Sequence, residues 1–208
     1  RQRQMCIRDS YRSSAAFRIR IALNIKELEL DHIFVHLRKG DQRSEQYLGV
    51  NPQGLVPALE LDDGTIITES MAICRYLELL YPEPALFGSS EVEQAKIEME
   101  SRRIELELML PIASAFRHTH PAAAALENPQ IEEYGIAQRE NAINRLNLLD
   151  EELGEQKFIA GDDYSVADIT ALCAIDFGGL AQIEVPSSLV NLSRWLENMR
   201  SRPSSAQQ

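Results

Sequence analysis

The chain has 208 residues, 44% of them hydrophobic and 25% charged, a composition that fits one large globular domain or two small ones. Its formal charge is −11, and the first twenty residues hold six Arg against one Asp, a local +5 that leaves −16 on the remainder. Such a surface repels phosphate backbones and anionic lipid, which argues against nucleic acid as a partner.

In chain order, RQRQMCIRDS comes first, basic but without the apolar core of a signal peptide. It matches nothing that follows in composition or period, so it reads as a remnant foreign to the fold and is set aside. SSAAFRIRIALNIK then places Phe17, Ile21 and Ile25 four apart behind two serines, the pattern of a helix with a hydroxyl at its start. IFVHL, 33–37, reads as a strand. LVPALEL, Asp63-Gly64 and TIIT read as a hairpin, and ESMAICRYLELLY, 69–81, as a helix. Helix, strand, loop, hairpin and helix make a small α/β unit of about 70 residues.

PEPALFGSS, 82–90, has Pro, Gly and Ser punctuation without periodicity and is the linker candidate. No strand pattern follows it. Ser90 and Glu93 make a capping box that opens a long helix, expected to bend at Pro111. Another helix covers roughly 131–153, a second capping box pairs Ser165 with Asp168, and SLVNLSRWLENMRS closes the chain. The second half is thus all-helical. Three cysteines without CxxC spacing argue against a zinc site or disulfide framework, and Cys74 and Cys173 read as small buried hydrophobes in a reducing compartment. With no apolar run near the ~18 residues that span a bilayer, the expected location is the cytoplasm, with no membrane partner.

Chemistry points first to NPQGLVPALEL, 51–61, because a proline at a strand's mouth cannot donate a ladder hydrogen bond. A cis Val56-Pro57 bond would expose the Val56 N–H and C=O to an extended ligand, as an added strand would pair. Glu69-Ser70 at a helix start offers N–H groups and a hydroxyl for a carboxylate, and an acid for an ammonium group. Together they suit a molecule with a peptide middle and an amino-acid end, such as glutathione. The plainer alternative, equally open on these local features, is that Pro57 starts a strand and Glu69-Ser70 caps a helix.

RSSAAFRIRIAL, NPQGLVPAL, TESMAICRYLE and FIAGDDYSVADIT, in this order and spacing, resemble the glutathione transferase superfamily over residues 11 to about 203. The resemblance implies a thioredoxin-like α/β domain at 11–82 and an all-helical bundle domain at 90–208. It also implies glutathione as co-substrate, a small electrophile as second substrate, no metal, and a homodimer. Pro57 would be the family's cis-proline, Val56 would pair with the cysteinyl part of glutathione beside Gln53, and Glu69 and Ser70 would hold the γ-glutamyl end. The family's sheet begins with a strand just before the serine loop, and RQRQMCIRDSYR is a poor strand, so that member is expected to be missing or replaced. YRSSAAFRIRIAL resembles the zeta, or maleylacetoacetate isomerase, branch, where the stretch is often Ser-Ser-Cys. Ala15 stands here in place of that cysteine.

A free thiol with pKa ~8.5 is mostly protonated at neutral pH, and its thiolate is the nucleophile. Ser13 or Ser14 at a helix N-terminus would donate to the sulfur while the helix dipole favours its charge. FRHTHP, 116–121, supplies a second candidate, since a related transferase branch is thought to hold a water against the thiol from this half of the chain. For His118 and His120 an electrostatic cap of the helix C-terminus is the favoured role. Ser165, Asp168 and Trp195 read as structural. The leading function is a glutathione S-transferase acting on a small electrophile. The alternatives are maleylacetoacetate isomerase and a non-catalytic glutathione-binding scaffold. The isomerase branch supplies an arginine after the capping-box helix, whereas no basic residue lies here between Asp176 and Glu184, with Arg117 as the one compensating candidate.

Overall fold

The computed structural model describes residues 5–11 and 13–205. The chain divides between Leu86 and Phe87 into two units. The first carries a four-stranded sheet in the order β2-β1-β3-β4, with β1 at Cys6–Asp9, β2 at Asp31–Phe34, β3 at Ala58–Glu60 and β4 at Ile66–Thr68. β1 runs parallel to β2 and antiparallel to β3, and β3 pairs antiparallel with β4 across the Asp63-Gly64 turn. Gly64 takes φ +81°, the left-handed conformation such a turn requires.

The inner strand β1 corrects the expectation that the sheet lacks or replaces its first member and that the decapeptide stands outside the fold. Residues 1–4 lie outside the described residues, but Cys6–Asp9 pairs on both sides. Its charges hid it. Ile7 is fully buried, and buried Asp9 is neutralised by Arg20, whose Nη1 lies 3.1 Å from Oδ2. β2 lies slightly earlier than the expected 33–37. All four of its residues are exposed, so on this edge strand apolar alternation carried little information.

Helices α1 (Ser14–Ile25) and α3 (Ser70–Leu80) supply the unit's apolar cover, and the short α2 (Glu45–Leu48) precedes the proline loop. Ile7, Ile19, Ile21, Leu59, Ile73 and Leu77 are fully buried. Two polar ties hold α1 against α3. Near their N-termini Arg18 Nη1 donates to Ser70 Oγ at 2.8 Å. Beyond their C-termini Lys26 Nζ donates to the carbonyls of Tyr81 (2.6 Å) and Pro84 (3.0 Å) and pairs with Glu78 (2.7 Å). The two helices therefore run in the same direction, with both N-termini at one end.

The second unit contains helices and no named strand among its described residues: α4 (Glu91–Arg103), α5 (Leu110–Thr119), α6 (Glu132–Glu155), α7 (Val166–Gly178) and α8 (Val190–Arg200). α7 is buried at every position from Val166 to Ile175, the mark of a helix apolar on all sides. Both capping boxes form, at Ser90 with Glu93 and at Ser165 with Asp168. The long helix departs from expectation in detail. A π-helical turn at Ile104–Met109 precedes Pro111, and Leu110 N–H reaches back five residues to the Glu105 carbonyl. Pro111 has no N–H to give, and widening the turn before it relieves the clash of its ring with a carbonyl four residues back.

Candidate functional site

Strand register brings three separate stretches of the first unit to one end of the sheet. Arg8 lies opposite Ala58, and Ala58 opposite Thr68. Beyond this row come, in turn, the C-terminal end of β1 leading to Ser13, the entrance to β3 with Val56-Pro57, and the exit of β4 with Glu69-Ser70. The parallel α1 and α3 start there too, so two positive helix ends face the same region.

Ser13 is the N-cap of α1: its backbone is extended, and its hydroxyl accepts from Ala16 N–H at 3.2 Å. An oxygen used this way keeps its own proton, and Ser13 finds no acceptor for it among the described residues. Ser14 is the first residue of the helix and makes no cap bond.

The loop before β3 is fastened by side chains that the sequence reading did not single out. Buried Asn51 accepts from Gln53 N–H at 3.1 Å and donates to the Leu55 carbonyl at 2.8 Å, which also receives the Tyr47 hydroxyl at 2.6 Å. Asn-Pro-Gln-Gly is the signal that could have found this Asx turn. Gly54 takes φ +63°, and a Cβ there would come within 2.9 Å of the Gln42 carbonyl. Gln53 is exposed, and its carbonyl is approached by Arg43. The Val56-Pro57 peptide is cis. Val56 itself makes no backbone hydrogen bond among the described residues, so its N–H and C=O remain open at the mouth of β3.

Glu69 precedes α3 with φ +66° and ψ 116°, a conformation that L-residues rarely adopt, and its side chain makes no cap bond. Ser70 follows, buried, its oxygen held by Arg18. Arg18 is 5% exposed and was missed from sequence, where its one hint is a charge three residues before Ile21 on a buried face. Cys74, one turn into α3, is no rival nucleophile: burial pushes its thiol up to about 12.

His118 and His120 belong to the second unit. His118 Nδ1 accepts from Ile131 N–H at 3.0 Å, and its ring meets Tyr134 edge-on. His120 Nδ1 accepts from Ala122 N–H at 3.1 Å and stacks on Phe116. Each ring thus ties the turn after α5 and presents Nε2 as its N–H. Among the described residues no group of three or more His, Cys, Asp or Glu could hold a metal ion, and no helix is long and apolar enough to cross a membrane.

Comparison with known proteins fits this geometry. The family sequence model "Glutathione S-transferase, N-terminal domain" matches residues 12–80, and "Glutathione S-transferase, C-terminal domain" matches 106–203. The chain belongs to the glutathione S-transferase family. Glutathione S-transferase 2 of Saccharomyces cerevisiae is 35% identical over 206 residues, covering 98% of this chain and 88% of that protein. The crystal structure of Gtt2 from the same yeast matches with a TM-score of 0.90, at 35% identity over 96% of this chain and 98% of that one. Maleylacetoacetate isomerase of Pseudomonas aeruginosa is 44% identical, but over 88 residues only, 41% of this chain and 42% of that protein. The transferase accordingly has the family's fold, a thioredoxin-like α/β part followed by an all-helical part. It is an enzyme of the glutathione transferase type, and the zeta-like character of its N-terminal stretch is matched by relatives of partial coverage.

Proposed function

We propose that the transferase binds glutathione at the end of the sheet in its first unit and presents the thiolate to a small electrophile. The observation that carries this reading is the open backbone of Val56 set beside the starts of α1 and α3. In this arrangement the Val56 N–H and C=O pair with the cysteinyl residue, with Gln53 alongside. Ser70 and the α3 N-terminus receive the γ-glutamyl carboxylate, and Glu69 its ammonium group. Ser13, whose proton is uncommitted, donates to the thiolate with Ser14 beside it, and the dipole of α1 stabilises the charge. Isothermal titration tests the binding step. Glu69→Ala should weaken glutathione by about 10- to 150-fold, the range for a hydrogen bond to a charged group, and unchanged affinity in the folded variant would remove the assignment.

Two points support conjugation over maleylacetoacetate isomerisation. A dianionic substrate needs cationic donors, and no basic residue lies between Asp176 and Glu184, the run where the resembling branch supplies an arginine. Arg117 faces Glu127 at 3.9 Å. Turnover on an aryl halide should exceed turnover on maleylacetoacetate, and the reverse would establish the isomerase. The scaffold alternative predicts glutathione binding with neither turnover. A cytoplasmic homodimer completes the reading, with exposed Leu106, Leu110 and Leu148 as apolar surface available to a second copy. Sedimentation at micromolar concentration checks that state.

A further inference from the structure

We propose that Arg18 is a positioning residue for the γ-glutamyl carboxylate of glutathione, acting through the hydroxyl of Ser70. The proposal rests on the site reading above and adds a residue to it. Arg18 lies on α1, 5% exposed, and its Nη1 donates to Ser70 Oγ at 2.8 Å across 52 residues of sequence. A serine oxygen has two lone pairs and one proton. With one lone pair taken by a guanidinium, which can only donate, the Ser70 O–H turns away from Arg18.

No acceptor meets that proton among the described residues, although Ser70 is 6% exposed. A buried donor left without a partner is unfavourable unless something completes it. Ser70 is the first residue of α3, so its hydroxyl and the helix's leading N–H groups lie at the same terminus. A carboxylate placed there would complete the hydroxyl and meet the helix dipole. It would also sit one hydrogen bond from a permanent positive charge, and a donor polarised by a cation is itself strengthened. Arg18 thus sets the direction of the Ser70 proton and adds charge behind it, without touching the ligand.

The experiment compares two ligands on three proteins. One ligand is glutathione, and the other is its γ-aminobutyryl analogue, which lacks only the α-carboxylate. The wild-type chain should prefer glutathione by at least about tenfold. In Arg18→Gln that preference should shrink to within about threefold, with analogue affinity nearly unchanged, because only the carboxylate contact depends on Arg18. If Arg18→Gln fails to fold by circular dichroism, Arg18→Lys decides. A single ammonium donor does not reproduce the guanidinium's direction, so discrimination should fall at least about threefold. Undiminished preference in the folded variant, or equal weakening of both ligands, overturns the positioning role. Absence of any preference in the wild-type chain overturns instead the site reading on which it rests.

Discussion

Glu69 offers a separation of stability from binding at a single position. Its φ of +66° with ψ of 116° lies outside every region open to an L-residue at low energy, and conformations of this kind cost about 1 to 3 kcal/mol. Alanine keeps that strain and removes the carboxylate. Glycine relieves the strain and removes the carboxylate as well, while giving back about 0.5 to 1 kcal/mol through the greater freedom of the unfolded chain. Glu69→Gly should therefore be more stable than Glu69→Ala by about 0.5 to 2 kcal/mol in urea denaturation. Both should lose glutathione affinity to the same degree, since neither can meet the ammonium group. The two curves are to be compared at equal slope, so that midpoint differences report stability. If Glu69→Gly proves no more stable than Glu69→Ala, the backbone conformation is not strained as argued. If glycine weakens binding far more than alanine, the backbone there contributes more than the side chain.

Three other outcomes follow from the geometry. Ser13→Ala should raise the pKa of the bound glutathione thiol in ultraviolet titration, whereas His118→Ala and His120→Ala leave it in place; the reverse pattern moves activation to the histidines. A Cβ at Gly135 would stand 2.6 Å from Thr119 Cγ2 and 3.0 Å from His118 Cβ, so Gly135→Ala should destabilise by about 1 kcal/mol net of its gain in helix propensity. Adding Thr119→Ser, which deletes that methyl but leaves the His118 contact, should recover part of the loss, and no recovery in calorimetry would show the crowding argument wrong. Burial pushes the Asp168 carboxyl up to about 6 against hydrogen bonds from Ile159 N–H, Trp195 Nε1–H and Ser165. Its folded-state pKa exceeds the unfolded one near 3.8, so the stability it lends below pH 4 is lost as pH rises through 6, a change on the order of 2 to 3 kcal/mol. Subtracting the Asp168→Asn stability profile from the wild-type profile should isolate that decline, and a flat difference from pH 4 to 7 would contradict it.

The elements readable from sequence were those whose signal is local. Ser90 with Glu93 and Ser165 with Asp168 announce helix starts because the capping box is a three-residue exchange of hydrogen bonds. The hairpin around Asp63-Gly64 was legible for the same reason. β1 was not, since CIRD becomes a strand only through pairing with Asp31–Phe34 and Ala58–Glu60, far along the chain, with its charges met by Glu60 and Arg20. The π-helical turn was also invisible, because proline signals a broken hydrogen bond without saying how the preceding turn will adjust. At the site, Pro57 and Glu69-Ser70 stood out by type and position. Arg18 did not, because its contact with Ser70 spans 52 residues and exists only once α1 and α3 lie side by side.

The proposed site would let a chain of charge −11 hold an anionic ligand. At each key group the fold uses the accepting half and leaves the donating half free. Ser13 Oγ accepts from Ala16 N–H and keeps its proton, and Ser70 Oγ accepts from Arg18 and keeps its own. Asn51 and Tyr47 donate to the Leu55 carbonyl, while the Val56 N–H of the same peptide meets no backbone acceptor among the described residues. What remains at the end of the sheet is a set of donors together with two helix N-termini. Net charge acts through solvent and fades within about 8 Å at physiological salt, while these donors act at contact. Glu69 is the one acidic side chain assigned to the ligand, and it stands where an ammonium group would need it. On the proposed assignment, a ligand with both charges at one end would be matched locally, in sign and in order, against the field of the whole protein.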